Sequence, residues 1–355
     1  MSEPVINRWM ILTKTIPLAV AGFVVFLVYL LFFINVDEMI QILRYTNVPV
    51  FLFAGVASVL EIVFFALTWQ YLLKYLAAKV SFRKIFTYTY ISNFIDLMIP
   101  AESVSGELTR ILLVTSDGVK TGKAAASVII QRILGLCIVG GTIVVGMTLM
   151  LQMQIAITGV VQTLVFLIIA VTTIFLIIVL FIFTKERWVI KIVDKISAFA
   201  SWISQGRVNT NSLKEKTDEA IKVFYQSLQT FRTNPSRIVP PIGLTLISWF
   251  FAILINYLAF ATIGYKINWI VVVVGCALIV WLKTIPVGIP AEIGVTEIVM
   301  ATVFGAFGVP ISISAASIVL TQIITLLFKL CIGFVAFQSV GSKIMMGAEK
   351  QLLNK

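Results

Sequence analysis

The sequence predicts an all-α polytopic membrane protein with about six full spans and two re-entrant helical hairpins related as an inverted repeat. Three observations support this prediction: the composition, the arrangement of apolar segments and an internal repeat. Of the 355 residues, 60% are hydrophobic and only 12% are charged. A soluble domain carries about 25% charged residues. Lipid must therefore be the solvent for much of this chain.

Six apolar segments have about the 20 residues that a helix needs to cross a bilayer. They are Ile16–Asn35, Pro49–Leu67, Ala124–Met150, Ile155–Thr184, Val239–Ile263 and Ile311–Gln338. Two other apolar segments, Phe82–Val114 and Asn268–Phe307, are interrupted at mid-length by Pro, Gly, Ser and Glu. Neither half of either segment is comfortably long enough to cross alone. We therefore expect each segment to enter and leave on one side, with its irregular backbone buried in protein or facing a wet cavity.

Lysine and arginine flank one set of span ends, and this bias orients the chain. These residues are Arg8 and Lys14, then Lys74, Lys79, Arg83 and Lys84, then Lys120 and Lys123, and finally Lys343, Lys350 and Lys355. The positive-inside rule predicts a multi-pass protein of the cell membrane with both termini in the cytoplasm. The net charge of +11 fits this bias and contact with anionic headgroups better than nucleic-acid binding.

The only long polar stretch covers residues 185–237, with ten Lys/Arg against five Asp/Glu. Its apolar residues recur at helical spacing, which predicts two amphipathic helices on the cytoplasmic face. A membrane-surface connector is the simpler interpretation of this stretch. A regulatory or partner-binding module is the alternative.

An internal repeat relates the two interrupted segments. The tetrapeptide Ile-Pro-Ala-Glu stands at residues 99–102 and again at 289–292, and a second glutamate follows five residues later in both copies. Aligned without gaps over residues 99–136 at an offset of 190, the copies share 12 of 38 residues. We assign the repeat units to residues 85–150 and 268–338 of a single transmembrane domain, 1–355. The predicted topology runs the units in opposite directions, as in transporters built from inverted repeats.

The repeat predicts a charged site near the middle of the membrane. Its hairpin tips hold Pro100, Gly106, Pro290 and Gly294. The candidate residues for substrate binding and translocation are Glu102, Glu107, Arg110, Arg132, Lys283, Glu292, Glu297 and Lys329. A carboxylate at membrane depth costs at least a few kcal/mol unless it is paired or hydrated. Four glutamates therefore imply cationic partners or a water-filled cavity, and an arginine fork in such a cavity suits a phosphate.

Other interpretations of these residues remain open. Glu107 and Glu297 fall in the first turn of the returning half-helices, where a carboxylate can act as a local cap. The charges can also form a buried ion-pair network that only fixes the packing. Glu61, Asp96 and Gln131 are further candidates for the same cavity, although spacing does not place them there.

The sequence contains no signature of an enzyme or of a cofactor site. It lacks a P-loop, a GxSxG elbow, an HExxH helix and a nucleotide-binding glycine pattern. Histidine is absent, and the three cysteines lie in apolar stretches without CxxC spacing. We therefore predict no enzymatic activity, no cofactor and no metal.

At these residues the sequence resembles the flippase-like transmembrane domain family, whose domain occurs in lysylphosphatidylglycerol synthetases and in free-standing membrane proteins. The segment from Gly106 to Arg110 fits the family's Gly-Glu-x-x-Arg element. Gln131-Arg132 keeps the arginine of a Glu-Arg pair but replaces its glutamate. A late Gly-x-Gly-x-x-Glu element is fitted in part, with Ile293 where a glycine is common, and a late arginine position holds Gln322.

The resemblance implies a function in moving lipid between leaflets. Its expected substrate is a phosphate-bearing lipid, such as an aminoacylated phospholipid or a polyprenyl-linked lipid. The expected partners are membrane lipids with anionic or zwitterionic headgroups, not nucleic acid, and a homo-oligomer is left open. The alternative function is an integral-membrane lipid headgroup transferase or an accessory subunit of one.

Overall fold

The computed structural model describes residues 46–98, 104–153, 210–282 and 295–353, together with residue 44 and a few single residues between 159 and 174. Every regular element in this part of the chain is helical. The helices are α1 (Val48–Tyr75), α2 (Phe82–Met98), α3 (Val104–Ser116), α4 (Thr121–Gln152), α5 (Thr210–Thr233), α6 (Val239–Thr262), α7 (Trp269–Leu282), α8 (Val295–Ala306) and α9 (Ile311–Leu353), with a 3₁₀ turn at Pro235–Ile238 before α6.

Three described helices are long and apolar enough to cross a membrane: α1, α4 and the run from Pro235 to Thr262. They correspond to three of the predicted spans, although α1 continues eight residues beyond the predicted end at Leu67. The start of α9, Ile311–Thr325, is a shorter apolar helix, as is α7. The predicted span Ile16–Asn35 and nearly all of Ile155–Thr184 lie outside the described residues.

The first interrupted segment folds back on itself. Its helices α2 and α3 have 17 and 13 residues, or roughly 25 and 20 Å at 1.5 Å per residue, against a hydrocarbon core of about 30 Å. Lys84 Nζ, near the start of α2, lies 2.7 Å from Asp117 Oδ1, just beyond α3. The Tyr88 hydroxyl donates to Asp117 Oδ2 at 2.9 Å. The beginning and the end of this hairpin therefore meet at one end of the molecule.

The second interrupted segment has the same form. Its helices α7 and α8 have 14 and 12 residues. Phe304, near the end of α8, packs edge-on against Phe260 of α6 with ring centroids 5.0 Å apart. Phe260 also contacts Tyr265, just before α7, at 6.0 Å. The beginning and the end of the second hairpin are thus gathered around the end of α6.

The molecule has two distinguishable ends. At one end, Tyr75 of α1 packs edge-on against Phe231 of α5, and Lys120 lies 3.6 Å from Glu219. At the other end, the Asn47 backbone N–H donates to the Thr262 carbonyl at 2.8 Å. The basic loops before α2 and before α4 both lie at the first end. The predicted topology also places these two loops on one side of the membrane. Its assignment to the cytoplasm stays a prediction.

The helix α5 is the second of the two amphipathic helices predicted for residues 185–237, and the first lies outside the described residues. Its apolar stripe is buried through Leu228 and Phe231, which pack with Leu72, Leu76 and Ala126 at the ends of α1 and α4. The apolar residues at helical spacing on this polar helix thus pack against other helices of the protein. The helix is docked on the bundle.

Two helix ends that the sequence repeat aligns have the same backbone cap. At the end of α3, the N–H of Gly118 bonds to the Thr115 carbonyl and the N–H of Val119 to the Val114 carbonyl. At the end of α8, Gly308 and Val309 bond to Gly305 and Phe304 in the same pattern, again at an offset of 190. The two glycines have φ of 87° and 83°, the left-handed conformation of a Schellman cap that glycine adopts without strain.

A third cap of this kind predicts a stabilising substitution. The end of α1 makes the same pair of hydrogen bonds, but Ala77 occupies the left-handed position with φ of 54°. A side chain in this conformation costs about 1–2 kcal/mol, partly offset by the extra unfolded-state entropy of glycine. We expect Ala77→Gly to stabilise the protein by about 0.5–1 kcal/mol. The midpoint of unfolding in detergent micelles measures this gain.

The reverse substitution supplies the control for Ala77. Gly118→Ala places a Cβ at an equivalent left-handed position with open space around it, so only backbone strain changes. Its midpoint should fall by a similar amount. An unchanged or lowered midpoint for Ala77→Gly would contradict the strain argument.

Candidate functional site

A cavity of about 480 Å³ lies between the first hairpin and the helices α1, α4, α6, α7 and α9. Six ionisable side chains line it among the described residues. They are Glu61, Asp96, Glu107, Arg110, Arg132 and Lys329. The cavity therefore brings together four of the charged residues predicted from the repeat, with the hairpin-tip residue Gly106 and all three further candidates, Glu61, Asp96 and Gln131.

The other predicted site residues are not placed. Glu102, Lys283 and Glu292, and the tip residues Pro100, Pro290 and Gly294, lie outside the described residues. Glu297 falls in the first turn of α8, which begins at Val295, but its side chain is outside the description. The meeting of the two hairpin tips therefore stays a prediction.

Arg110 is the most enclosed cation of the cavity, with 6% of its surface exposed. Its Nη1 donates to the Gln131 Oε1 at 2.8 Å. Its guanidinium carbon lies 5.1 Å from the ring centroid of Phe65 and 5.3 Å from that of Trp69, within the range of a cation–π contact. Among the described residues, no carboxylate oxygen lies within 4.0 Å of this guanidinium. Within the described part of the chain the direct partners of Arg110 are therefore neutral, while the Glu107 and Asp96 carboxylates act on it electrostatically from further away.

Hydrogen bonds between α1 and α4 fix Gln131 and Trp69 in position beside Arg110. The Gln131 Nε2 donates to the Phe65 carbonyl of α1 at 2.8 Å, so its Oε1 is turned towards Arg110. The Trp69 indole donates to the Ser127 hydroxyl at 3.0 Å, and that hydroxyl donates to the Ala124 carbonyl at 2.7 Å. A hydrogen-bonded network between α1 and α4 thus holds the amide and the aromatic faces around the guanidinium.

Asp96 ties the two helices of the first hairpin together. Its Oδ1 accepts from the Gly106 backbone N–H at 3.0 Å and from the Ser105 hydroxyl. These groups lie in the first turn of α3, whose backbone N–H groups have no partner within the helix and attract negative charge. Asp96 is therefore a cap supplied from the preceding helix.

Glu107 pairs with an arginine of another helix and not with Arg110, the nearest arginine in sequence. It lies in the first turn of α3 as predicted, but its Oε1 lies 3.5 Å from Arg132 Nη1 on α4. Arg110, one turn further along α3, is directed to Gln131 instead. The Glu107 carboxylate thus links α3 to α4.

Gly106 allows the two hairpin helices to approach each other. A Cβ at this position would lie 3.0 Å from the Asp96 Oδ2 and 3.0 Å from the Ser92 carbonyl oxygen. We expect Gly106→Ala to force these helices apart and to lower stability by about 1–3 kcal/mol. The unfolding midpoint in detergent measures the loss.

Gly135 on α4 is the matched control for Gly106. It also lies in a helix that lines the cavity, but a Cβ there meets nothing within 4 Å. Gly135→Ala should be neutral or stabilising, because alanine favours a helix over glycine by about 1 kcal/mol. Equal destabilisation of both variants would remove the steric explanation for Gly106.

The opposite wall of the cavity comes from α6 and α9. Ser248 of α6 donates to the Glu61 backbone carbonyl at 3.0 Å, and Lys329 of α9 acts electrostatically on the Glu61 carboxylate. Sequence reasoning missed the α6 contribution from Thr245, Ser248 and Trp249. The available signal was a group of polar and amphipathic side chains within the span Val239–Ile263. No group of three or more potential metal ligands occurs in the described part of the chain.

The apolar helices and the cavity with charged side chains between them define the class of this molecule, a helical integral membrane protein. The sequence profile described as the lysylphosphatidylglycerol synthase TM region matches residues 18–333. The chain therefore belongs to this family, and the resemblance seen at the glutamate and arginine motifs is confirmed.

Two archaeal relatives extend over nearly the same length. A UPF0104 membrane protein of Methanocaldococcus jannaschii is 26% identical over 342 residues, which cover 94% of this chain and 97% of the relative. A UPF0104 membrane protein of Pyrococcus horikoshii is 24% identical over 308 residues, covering 83% and 88%. The similarity thus extends well beyond the motifs.

Proposed function

We propose that this protein moves a phosphate-bearing lipid between the two leaflets of the membrane. The observation that carries this proposal is Arg110, a buried arginine at the wall of a cavity of about 480 Å³ with neutral direct partners in the described residues. A charge enclosed at membrane depth is costly and generally marks a functional site. A ligand phosphate would give this guanidinium a direct anionic partner.

The geometry around Arg110 suits a phosphate. Gln131 and the two aromatic faces occupy part of the guanidinium, and its remaining N–H groups form a planar fork that suits phosphate oxygens. Arg132 lines the same cavity and is held by Glu107 at 3.5 Å, a distance that a competing anion can lengthen at little cost. Two arginines are thus available to one headgroup.

Movement between leaflets is supported by the two hairpins. The ends of the first hairpin are tied by Lys84 and Asp117, at the end of the bundle where α5 is docked on α1 and α4. The ends of the second hairpin gather around Phe260, near the end of α6. If α6 crosses the membrane, its two ends lie on opposite sides, which supports two copies that open in opposite directions. Inverted repeats of broken helices provide access from each side in turn.

A lipid is a better candidate than a soluble anion. The family of this chain is described by a region of a lipid synthase. Apolar side chains such as Phe65, Leu136, Val139 and Val280 share the cavity wall with the charged ones. Such a mixed lining suits an amphiphile, whose headgroup occupies the polar side.

Purified protein in liposomes tests the proposal directly. A fluorescent phosphatidylglycerol is distributed over both leaflets, and an impermeant reductant added outside bleaches the accessible pool. We expect bleaching to continue into the inner-leaflet pool with protein and to stop at the outer pool in protein-free liposomes. Headgroup selectivity is read from parallel assays with polyprenyl phosphate, aminoacylated phosphatidylglycerol and an uncharged diacylglycerol.

Two outcomes would reject the proposal. If every phosphate-bearing lipid moves no faster than in protein-free liposomes, transport is excluded for these substrates. If the protein also changes the headgroup chemically, as shown by mass spectrometry of the extracted lipids, the headgroup transferase replaces the transporter.

A further inference from the structure

A second cavity of about 450 Å³ adjoins the polar one and has a different character. It lies between α4, α6 and α7, and its lining is almost entirely apolar or glycine. The lining residues from α4 are Ile138, Gly141, Thr142, Val145, Gly146 and Leu149, and those from α6 and α7 are Leu246, Trp269, Ile270 and Val273. Ile138 lines both cavities. We call this second cavity the apolar groove.

A hydrogen bond joins the wall of the polar cavity to the wall of the apolar groove. The Trp249 indole, in the wall of the polar cavity, donates to the Thr142 hydroxyl in the wall of the groove at 3.1 Å. The same hydroxyl donates to the Ile138 carbonyl at 2.8 Å. The Thr142 hydroxyl is therefore satisfied by protein, and the rest of the described groove lining is aliphatic, glycine or the indole of Trp269.

The groove opens to the outside of the bundle. Val145, Leu149 and Leu246 line it and are exposed on the protein surface. In a membrane protein, this surface borders the hydrocarbon region of the bilayer. The groove is thus open towards hydrocarbon, and its wall residue Ile138 also lines the cavity that contains Arg110.

We infer that the apolar groove holds a hydrocarbon chain of the same lipid molecule whose phosphate lies at Arg110. This inference rests on the proposed function and specifies its substrate as an amphiphile bound at both parts. The groove and the polar cavity meet at Ile138, so the division between chain and headgroup falls there. A water-soluble phosphate ester would leave the groove empty.

At two glycines, a larger side chain would fill one cavity and leave the other unchanged. Gly141 lines the groove and Gly135 lines the polar cavity, and a Cβ at either position meets nothing within 4 Å. Leucine at each site extends into open space. Gly146 does not serve this purpose, because its Cβ would lie 2.5 Å from Val274 Cγ2. Gly243 on α6 has the same open surroundings but lines neither cavity, and Gly243→Leu is the matched control.

Photocrosslinking in liposomes tests the inference. The probe is phosphatidylglycerol with a diazirine in one acyl chain, and the comparison probe is diacylglycerol with the same modified chain. Crosslinked positions are mapped by mass spectrometry, and the exposed side chains Leu52, Phe53 and Val56 of α1 report ordinary contact with bilayer lipid. We expect the phosphate-bearing probe to label the groove several-fold more than the diacylglycerol, with equal labelling of the α1 reference.

The variants separate a bound chain from bulk lipid. Gly141→Leu should reduce groove labelling several-fold by filling the groove, and Gly135→Leu should reduce it by excluding the headgroup. Gly243→Leu should label as the native protein does. The α1 reference labelling and the elution profile show whether each variant is folded.

The inference is overturned if both probes label the groove equally and neither glycine variant changes that labelling. The groove then holds ordinary bilayer lipid. Transport with phosphate-independent groove labelling would reject this inference alone. Phosphate-dependent labelling without transport would reject the proposed movement and leave the binding site standing.

Discussion

Replacing Arg110 by glutamine is expected to slow lipid movement by about 10-fold to 100-fold. A hydrogen bond to a charged group contributes about 1.5–3 kcal/mol, and each 1.4 kcal/mol changes an equilibrium by about tenfold. The variant removes the buried cation but keeps an amide that can bond to Gln131, the present partner at 2.8 Å. Arg110→Lys keeps the charge without the planar fork, so its rate of lipid movement should lie between those of the native protein and Arg110→Gln.

The bleaching assay in liposomes measures this loss, and Arg83→Gln is its control. Arg83 lies on the same hairpin but is exposed at the basic end, so the same chemical change there should leave the rate within about twofold. If Arg110→Gln moves lipid at the native rate, Arg110 does not take part in binding the substrate. If Arg110→Gln, Arg110→Lys and Glu107→Gln all fail to fold, the charges serve packing and not transport.

Replacing Gly122 by alanine is expected to cause the largest loss of stability among the substitutions considered. A Cβ at this position would lie 2.3 Å from the Ala220 carbonyl oxygen and 2.7 Å from the Phe224 backbone nitrogen. Both contacts are with the backbone of α5, which cannot move aside as a side chain can. We expect a cost at or above the roughly 1–3 kcal/mol typical of overpacking, with α5 displaced from α1 and α4.

Limited proteolysis and the unfolding midpoint in detergent measure the displacement of α5. The control is Lys120→Ala, which removes the ion pair with Glu219 at 3.6 Å. Both side chains are mostly exposed, so this change should cost well under 1 kcal/mol. If Lys120→Ala exposes α5 to protease as much as Gly122→Ala does, the helix is held by charge and not by close packing.

The sequence predicts much of this fold because lipid imposes strict rules. The hairpin expected at Phe82–Val114 appears as α2 and α3, and that expected at Asn268–Phe307 as α7 and α8. Proline, glycine and glutamate inside an apolar segment signal an interruption, since backbone polar groups cannot remain unpaired in hydrocarbon. The lengths of the halves then predict re-entrant hairpins instead of independent crossings.

The composition of the site was also predictable, but its pairing was not. Glutamates and arginines at membrane depth must face the interior of the bundle, which brings Glu107, Arg110 and Arg132 to one cavity. Glu107 and Arg110 are three residues apart, a spacing that allows two side chains to meet on one helix face. The observed Glu107–Arg132 pair and the Arg110–Gln131 bond instead depend on how α3 packs against α4.

Asp96 illustrates the same limit of sequence reasoning. It lies ten residues before Gly106, across an interruption whose geometry no local propensity specifies. Its carboxylate nevertheless caps α3, a task for which the sequence suggests only Glu107, as one of two open interpretations. A cap supplied from another helix is a tertiary contact, and only the packing of α2 on α3 reveals it.

The balance of charges around the cavity has an electrical consequence. Its described lining contains three acidic side chains, Glu61, Asp96 and Glu107, and three basic ones. In their ionised forms these six charges cancel, so within the described lining the net charge of the loaded site is that of its ligand. A membrane potential does work of about 2.3 kcal/mol per elementary charge per 100 mV. A monoanionic lipid would therefore be driven towards the positive side of the membrane, whereas a zwitterionic lipid would cross without electrical work.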